Sequence, residues 1–110
     1  MTIRVDDEHK IDFAEEHFKN LRRFIANELY GSVLIEDLNK DNIGLPMFKL
    51  LTNENSFKLT CNQCSKLKVQ LEPVQIHTWR CEKEYNQLLQ FLKEIINEAI
   101  NQNTSLEFNK

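Results

Sequence analysis

Residues 61–81, CNQCSKLKVQLEPVQIHTWRC, say more about the fold of this chain than any other stretch. They hold all three of its cysteines, and together with a histidine these form the pattern C-x2-C-x12-H-x3-C. Two thiols two residues apart, followed by a histidine and a thiol one helical turn apart, suit the four ligands of a tetrahedral zinc ion. We therefore expect Cys61, Cys64, His77 and Cys81 to bind zinc in a structural role.

Two other interpretations of these side chains stay open. In the first, Cys61 and Cys81 are small buried residues, while Cys64 and His77 lie on the surface. In the second, the two cysteines at the start of the pattern have a redox role. Redox pairs of this kind usually lie between a strand and a helix, whereas here strand-like sequence lies on both sides.

The chain on either side of this segment predicts an α+β fold. Over residues 11–30 apolar side chains recur every three or four positions, as in an amphipathic helix. From Pro73 to about residue 103 the same period returns, which predicts a long C-terminal helix. Residues 33–35 fit either a short strand or a helical turn. Three runs of alternating apolar residues predict a three-stranded antiparallel sheet at residues 47–52, 56–61 and 67–71.

This layout places the expected zinc ligands on two elements. The first two cysteines lie at a turn between two predicted strands, and the later histidine and cysteine project from one face at the start of the C-terminal helix. Zinc would then fasten the helix to the sheet. We expect a single domain over residues 1–110, with flexible ends at about 1–10 and 104–110.

The segment 57–81 resembles a zinc finger of the Cys-Cys-His-Cys kind, over about a quarter of the chain. The ligand spacing agrees, and so does the predicted order of strand, turn, strand and helix. The resemblance implies a structural zinc, although Lys68 stands where such fingers usually have an aromatic core residue. At the helix positions with which these fingers read bases, the chain has Gln70, Pro73 and Ile76. Proline and isoleucine offer no hydrogen bond to a base edge, so sequence-specific DNA reading is not expected.

Composition narrows the class of protein. Hydrophobic residues make up 41% and charged residues 28% of the chain, values typical of a globular protein, and its net charge is −3. An acidic balance disfavours a protein whose main task is to grip phosphate backbones. The N-terminal residues carry acids where a secretory signal needs a basic and then an apolar run, and no stretch approaches 18 apolar residues. We therefore expect an intracellular, cytoplasmic protein without a membrane partner.

Five basic residues are candidates for partner binding, because strand alternation places most of them on the exposed face of the predicted sheet: Lys49, Lys58, Lys66, Lys68 and Arg80. Such a face suits a nucleic-acid backbone or an acidic protein. It also fits a solvated sheet whose lysines discourage pairing at its edges. No aromatic residues are interleaved with these five, so stacking of bases is not indicated.

The remaining sequence favours binding over catalysis. There is no nucleophile elbow or glycine-rich phosphate loop, and Glu82 and Glu84 fit solvated charges better than a general base for zinc. We expect no enzyme. The leading hypothesis is a small protein-binding factor, such as an inhibitor, an immunity-type protein or an adaptor, acting by surface complementarity. The alternative is a nucleic-acid-associated regulator that uses the lysine face and the finger-like segment.

The predicted C-terminal helix adds one more candidate surface. A helix of about 30 residues spans about 45 Å, which is longer than so small a domain can cover. Its exposed half would then bind in a groove of a partner protein or form a homodimer.

Overall fold

A single antiparallel sheet organises the computed structural model, which describes residues 1–31 and 35–110. Residues 32–34 lie outside the described residues. They include two of the three residues 33–35, for which the sequence fits either a short strand or a helical turn. The sheet has the strand order β2-β1-β4-β3. Its strands are β1 (Thr2–Arg4), β2 (Lys10–Asp12), β3 (Phe57–Leu59) and β4 (Leu106–Asn109). Both edges, β2 and β3, are only three residues long.

One face of this sheet is apolar and the other is polar. Side chains opposite each other across a ladder share a face, so the pairing of Ile3 with Ile11 and with Phe108 sets the apolar side. On the polar side, the carboxylate of Glu107 lies 3.5 Å from Nε of Arg4 and 3.4 Å from Nζ of Lys58. An antiparallel sheet with one wet face needs its helices on the other face only.

The helices supply the second layer and bury the apolar face of the sheet in one core. They are α1 (Glu15–Tyr30), α2 (Lys40–Ile43), α3 (Leu45–Thr52), α4 (Cys61–Leu71) and α5 (Glu82–Asn101), with a short 3-10 turn at Ile35–Asp37. The α+β class is thereby confirmed. The N-terminal helix forms as predicted, but it starts at Glu15 because Lys10–Asp12 is the strand β2.

The prediction of a strand at residues 47–52 is wrong, because these residues belong to α3. Gly44 precedes the helix with φ of 85°, a left-handed conformation that glycine adopts without strain, and Pro46 lies in the first turn, where a missing N–H costs nothing. Met47, Leu50 and Leu51 are then buried on one side of the helix. This run of apolar residues fits both the two-residue period of a strand and the 3.6-residue period of a helix. Burial of one side against the core favours the helix.

The predicted strand at residues 67–71 and the turn before it are also wrong, because Cys61–Leu71 forms α4. Thr60 and Gln63 make a capping box: Thr60 Oγ1 accepts the Gln63 N–H at 3.2 Å, and Gln63 Oε1 accepts the Thr60 N–H at 2.9 Å. With the helix begun there, Cys64, Leu67 and Leu71 share the buried face. Of the three predicted strands, only the second contains a strand, β3.

The C-terminal helix starts nine residues later than predicted, at Glu82 in place of Pro73. The segment between α4 and α5 runs over α5 in an irregular conformation, with Val74 and Ile76 buried. Asn86 holds it in place, since its side chain accepts the Ile76 N–H at 2.8 Å and donates to the Ile76 carbonyl at 2.9 Å. An asparagine that satisfies both main-chain groups replaces the bonds that a helix would provide.

The 20 residues of α5 are too few to overhang the domain, which removes the reason for expecting an exposed half. Most of its apolar residues face the core along the whole helix, from Tyr85 and Leu89 to Ile96 and Ala99, and Phe91 is the exception at 40% exposed. The predicted partner surface and homodimer contact on this helix therefore lose their basis.

Both chain ends contribute strands to the sheet, within the ranges 1–10 and 104–110 for which the sequence predicted flexible ends. After α5, Asn103 adopts a positive φ of 52°, and the Thr104 N–H donates to the Ala99 carbonyl, which ends the helix and reverses the chain. Strand β4 then inserts between β1 and β3, with Leu106 and Phe108 fully buried.

The central position of β4 predicts a large loss of stability for Phe108→Ala. Phe108 is fully buried and its ring stacks on that of Phe57 at 4.4 Å between centroids. We expect the free energy of unfolding in urea to fall by about 3 to 5 kcal/mol, the usual cost of removing a buried phenylalanine. The neighbouring Asn109→Ala, at an exposed position, is the matched control and should change it by less than about 0.5 kcal/mol. Equal effects of both substitutions would contradict a buried central strand.

His9 joins the turn between β1 and β2 to the end of α5. Its Nδ1 lies 2.9 Å from Asp6 Oδ1, and its Nε2 lies 3.6 Å from Glu98 Oε1. The hydrogen bond with Asp6, and then the charges of Asp6 and Glu98, raise the pKa of His9 above its usual 6.5. The folded state therefore binds this proton more tightly than the unfolded chain does.

This raised pKa predicts how stability depends on pH. The contribution of His9 is fully present below the unfolded pKa of 6.5 and disappears as the pH rises through the higher folded pKa. We expect the free energy of unfolding to decrease between about pH 6 and pH 8, and to decrease less in the variant His9→Asn. Urea unfolding of both proteins across that range measures the difference. Parallel pH curves would show that His9 has no part in it.

Candidate functional site

The five basic candidates do not form a face of the sheet. Only Lys58 lies in a strand, and its ammonium group is paired with Glu107. The others are distributed over α3, α4 and the segment before α5: Lys49, Lys66, Lys68 and Arg80. Lys68 donates a hydrogen bond of 2.8 Å from Nζ to Oδ1 of Asn97. The prediction of a lysine-rich sheet face is therefore wrong, because the five basic residues lie on separate elements.

The cysteines at the start of the 61–81 segment lie on successive turns of α4. Cys61 is the first residue of the helix and is half-buried, while Cys64 is completely buried in the core. Burial raises the pKa of the Cys64 thiol to about 11, and the nearby Cys61 adds to the effect. In the metal-free protein a thiol in this environment stays protonated at neutral pH and is therefore a poor nucleophile.

The two later residues of the pattern lie before α5. The exposed His77 contacts α1: its main-chain N–H donates to Glu28 Oε1 at 3.1 Å, and its ring Nδ1 lies 3.3 Å from the same oxygen. Cys81 is half-buried and immediately precedes the helix. The strand, turn, strand and helix order of the zinc-finger resemblance is therefore absent from 57–81, which form a strand, a helix and an irregular segment.

Within residues 1–31 and 35–110, no three histidine, cysteine, aspartate or glutamate side chains are grouped as metal ligands. Two of the four expected ligands have other contacts here: Cys64 is enclosed by apolar residues, and the ring of His77 contacts Glu28. Zinc binding would require these side chains to converge. A structural zinc therefore stays a prediction of the sequence alone.

A surface depression that the sequence did not indicate lies between the start of α3 and one side of α4. Its volume is about 560 Å³, and it is open to solvent. Its lining comes from residues 44–46 on one side and from α4 on the other: Gly44, Leu45, Pro46, Gln63, Ser65, Lys66, Val69 and Gln70. We call this the α3–α4 depression.

Two exposed apolar side chains give the α3–α4 depression its character. Leu45 is 44% exposed and Val69 is 67% exposed, although both belong to helices that otherwise turn apolar residues inward. Lys66 is the only charged residue in the lining, and in the described part of the chain no carboxylate lies within ion-pair distance of it. The depression is thus apolar and carries a single positive charge.

Gln70 fixes the relative position of the two sides. Its Nε2 donates a hydrogen bond of 3.0 Å to the main-chain carbonyl of Ile43, which lies just before Gly44. A side chain from α4 thereby holds the chain that leads into α3. The depression is consequently built on helices whose other faces are anchored in the core, which keeps its shape defined.

Comparison with known proteins finds no matching family model, no matching curated protein and no matching solved structure. None of the helices in the described residues combines the length and the hydrophobicity that a membrane span requires. The geometry of the surface is therefore what the functional proposal rests on.

The positions of the three cysteines predict their reactivity. In the metal-free folded protein we expect an aromatic disulfide reagent at neutral pH to modify Cys61 and Cys81, and to modify Cys64 only on unfolding, because Cys64 is buried and its pKa is raised. Absorbance of the released thiolate counts the reacted groups. The variant Cys64→Ala should give the same count of fast thiols as the parent. Three fast thiols in the folded parent would contradict the buried position.

Elemental analysis of the protein purified without chelator tests the zinc prediction separately. One zinc per chain, together with a lower melting temperature after chelation, would mean that the four side chains converge when the metal is present. A metal content well below one per chain, with an unchanged melting temperature, would remove the zinc prediction.

Proposed function

We propose that this chain is a small protein-binding factor, acting by surface complementarity, and that the α3–α4 depression is where it binds. Its ligand is an apolar side chain carried by an acidic segment of another protein. An inhibitor, an immunity-type protein and an adaptor are the kinds of protein that work in this way. The observation that carries the proposal is the pair Leu45 and Val69, exposed together around one depression.

Apolar burial supplies the attraction. Full burial of a valine or leucine side chain contributes about 1.5 to 3 kcal/mol, so covering the exposed parts of Leu45 and Val69 contributes roughly half of that for each. Exposed apolar side chains scattered singly need no explanation, but two of them lining the same depression form a candidate contact. Contacts of this size act together with a wider polar rim in protein interfaces.

Charge decides the kind of partner. The chain has a net charge of −3, yet the lining of the depression contains one lysine and no acid. Lys66 would meet a carboxylate of the partner next to the apolar contact, which favours an acidic segment over a basic one. The nucleic-acid alternative has weaker support, because the lysines on which it depended lie on separate elements and Lys58 is already paired.

Site-specific photo-crosslinking in the host cell tests the proposal. A photoreactive phenylalanine analogue in place of Val69 should give a protein adduct of defined mass, and the same analogue in place of the exposed Arg23 on α1 should not. Adding Lys66→Glu should reduce the yield at position 69 about tenfold, as expected for a loss of about 1.4 kcal/mol of binding free energy. The matched control Lys83→Glu, an identical charge change on α5, should leave the yield unchanged.

The outcomes separate the alternatives. Identical adducts at positions 69 and 23, or a yield that ignores Lys66→Glu, would overturn the depression as the binding site. A predominant adduct with nucleic acid, sensitive to Lys66→Glu, would replace the proposal by the nucleic-acid alternative. A protein adduct identified by mass spectrometry can be titrated with the purified chain, and its affinity should fall with Val69→Asp.

A further inference from the structure

Among the described residues, four main-chain groups of the edge strand β2 have no hydrogen-bond partner. Met1 and Phe13 exchange two main-chain hydrogen bonds, of 2.8 and 3.0 Å, and Val5 donates to His9 at 2.9 Å. Bonded and non-bonded pairs alternate in an antiparallel ladder, so in the register of β1 with β2 the next bonded pair is Ile3 with Ile11. The N–H and C=O groups of Lys10 and Asp12 therefore point away from β1, towards the open edge.

The side chains of this edge are also available. Lys10 and Asp12 are exposed, and within the described ranges neither lies in an ion pair. Asp12 accepts a hydrogen bond of 3.1 Å from Thr2 Oγ1, which orients its carboxylate on the polar face of the sheet. Ile11 lies between them on the apolar face and is half-buried.

We propose that a second copy of this chain binds along β2, so that two sheets join into one across a two-fold axis. The sequence Lys10-Ile11-Asp12 is complementary to itself when it is read antiparallel. Lys10 then faces Asp12 of the partner subunit, and Ile11 faces Ile11 of the partner subunit on the axis. This register uses all four outward main-chain groups, because Lys10 and Asp12 of the partner subunit exchange two hydrogen bonds and the symmetry repeats them.

The charge pattern selects both this partner and this orientation. Opposite charges directly across an antiparallel ladder stabilise it, whereas like charges destabilise it. A parallel arrangement would oppose Lys10 to Lys10 of the partner subunit. Charged residues on a short edge normally discourage pairing, but here they favour a strand of the reversed charge order over one of the same order. A second copy supplies that order without any further partner.

A neighbouring depression gives the second copy apolar surface to cover. It measures about 280 Å³ and lies between β2 and α5, where Phe91 is 40% exposed beside Ile11 and Ile95. On the axis the two depressions adjoin, and each copy covers part of the other. Glu8, Glu94 and Glu98 line it together with Lys10 and His9, so acidic charge is in excess, and its repulsion across the axis keeps the dimer weak.

The other edge of the sheet does not offer an equivalent site. By the same alternation, Phe57 and Leu59 of β3 form the hydrogen-bonded pairs with β4, so in this strand Lys58 alone turns its main-chain groups outward, and α4 begins two residues after the strand. Nor does the dimer depend on the proposed function, since no residue of β2 lines the α3–α4 depression. Partner binding at that depression and self-association at β2 therefore stand or fall separately.

Substitutions that reverse the charge of Lys10 or Asp12 on β2 test the proposed dimer. Analytical ultracentrifugation of the full chain should show a mass that rises with concentration from 13.1 kDa towards 26.2 kDa, twice the mass of one chain. Lys10→Asp and Asp12→Lys should each stay monomeric, because each opposes like charges. An equal mixture of the two variants should regain the dimer, since every pair across the axis is then again of opposite charge.

Three results would overturn the proposal: a parent that stays monomeric at about 0.5 mM, which excludes even a weak dimer, single variants that still dimerise, or a mixture that stays monomeric. Lys83→Asp on the exposed face of α5 is the matched control and should leave the mass of the parent unchanged. Circular dichroism checks that each variant is folded.

Hydrogen exchange of the parent gives a test without substitutions. The amides of Lys10 and Asp12 should exchange freely in dilute solution and become protected as the concentration rises. Exchange at these two amides that is independent of concentration would contradict pairing at β2, whatever the fate of the variants.

Discussion

The insertion of β4 between β1 and β3 is the constraint on which the rest of the fold depends. Ile3 lies opposite Phe108, so the two ends of the chain meet in the middle of the sheet. The apolar face against which α1 and α5 pack is complete only when this pairing has formed. Since loop closure must precede the contacts that stabilise it, the fold depends on contacts that span the full sequence and not on any local unit.

The spacing of apolar residues in the sequence predicts the long helices correctly but does not reveal the short strands. Helices α1 and α5 are recognisable because 16 and 20 residues give several repeats of the helical pattern. Strands β1 and β4 contain three and four residues, too few for alternation to stand out from chance. Their pairing is decided by residues about 100 positions apart, which no local pattern contains, so the ends of the chain read as flexible.

The error at α4 has a more specific cause. Leu67, Val69 and Leu71 alternate as in a strand, but the spacing of Cys64, Leu67 and Leu71 is equally helical. Thr60 and Gln63 resolve the choice, because threonine followed three residues later by glutamine is a sequence signature of a helix start. Choosing the helix moves Val69 from the expected core to the surface, and the exposed Val69 is what creates the candidate binding site. The same error produced the expected lysine face, since Lys66 and Lys68 belong to this helix.

Charge pairing explains why the candidate surfaces lie where they do. On the polar side of β1, β3 and β4, Glu107 pairs with both Arg4 and Lys58, and Asp7 also pairs with Arg4, so these strands offer little uncompensated charge to a partner. Lys66 beside the α3–α4 depression and Lys10 with Asp12 on β2 lack such compensation among the described residues. An ion pair that stays exposed to water contributes little to binding free energy. A charge therefore selects a partner best where it lies beside apolar surface that binding removes from water. Lys66 adjoins Val69, and Lys10 and Asp12 flank Ile11, so each surface combines an unpaired charge with an apolar contact and selects a different kind of partner.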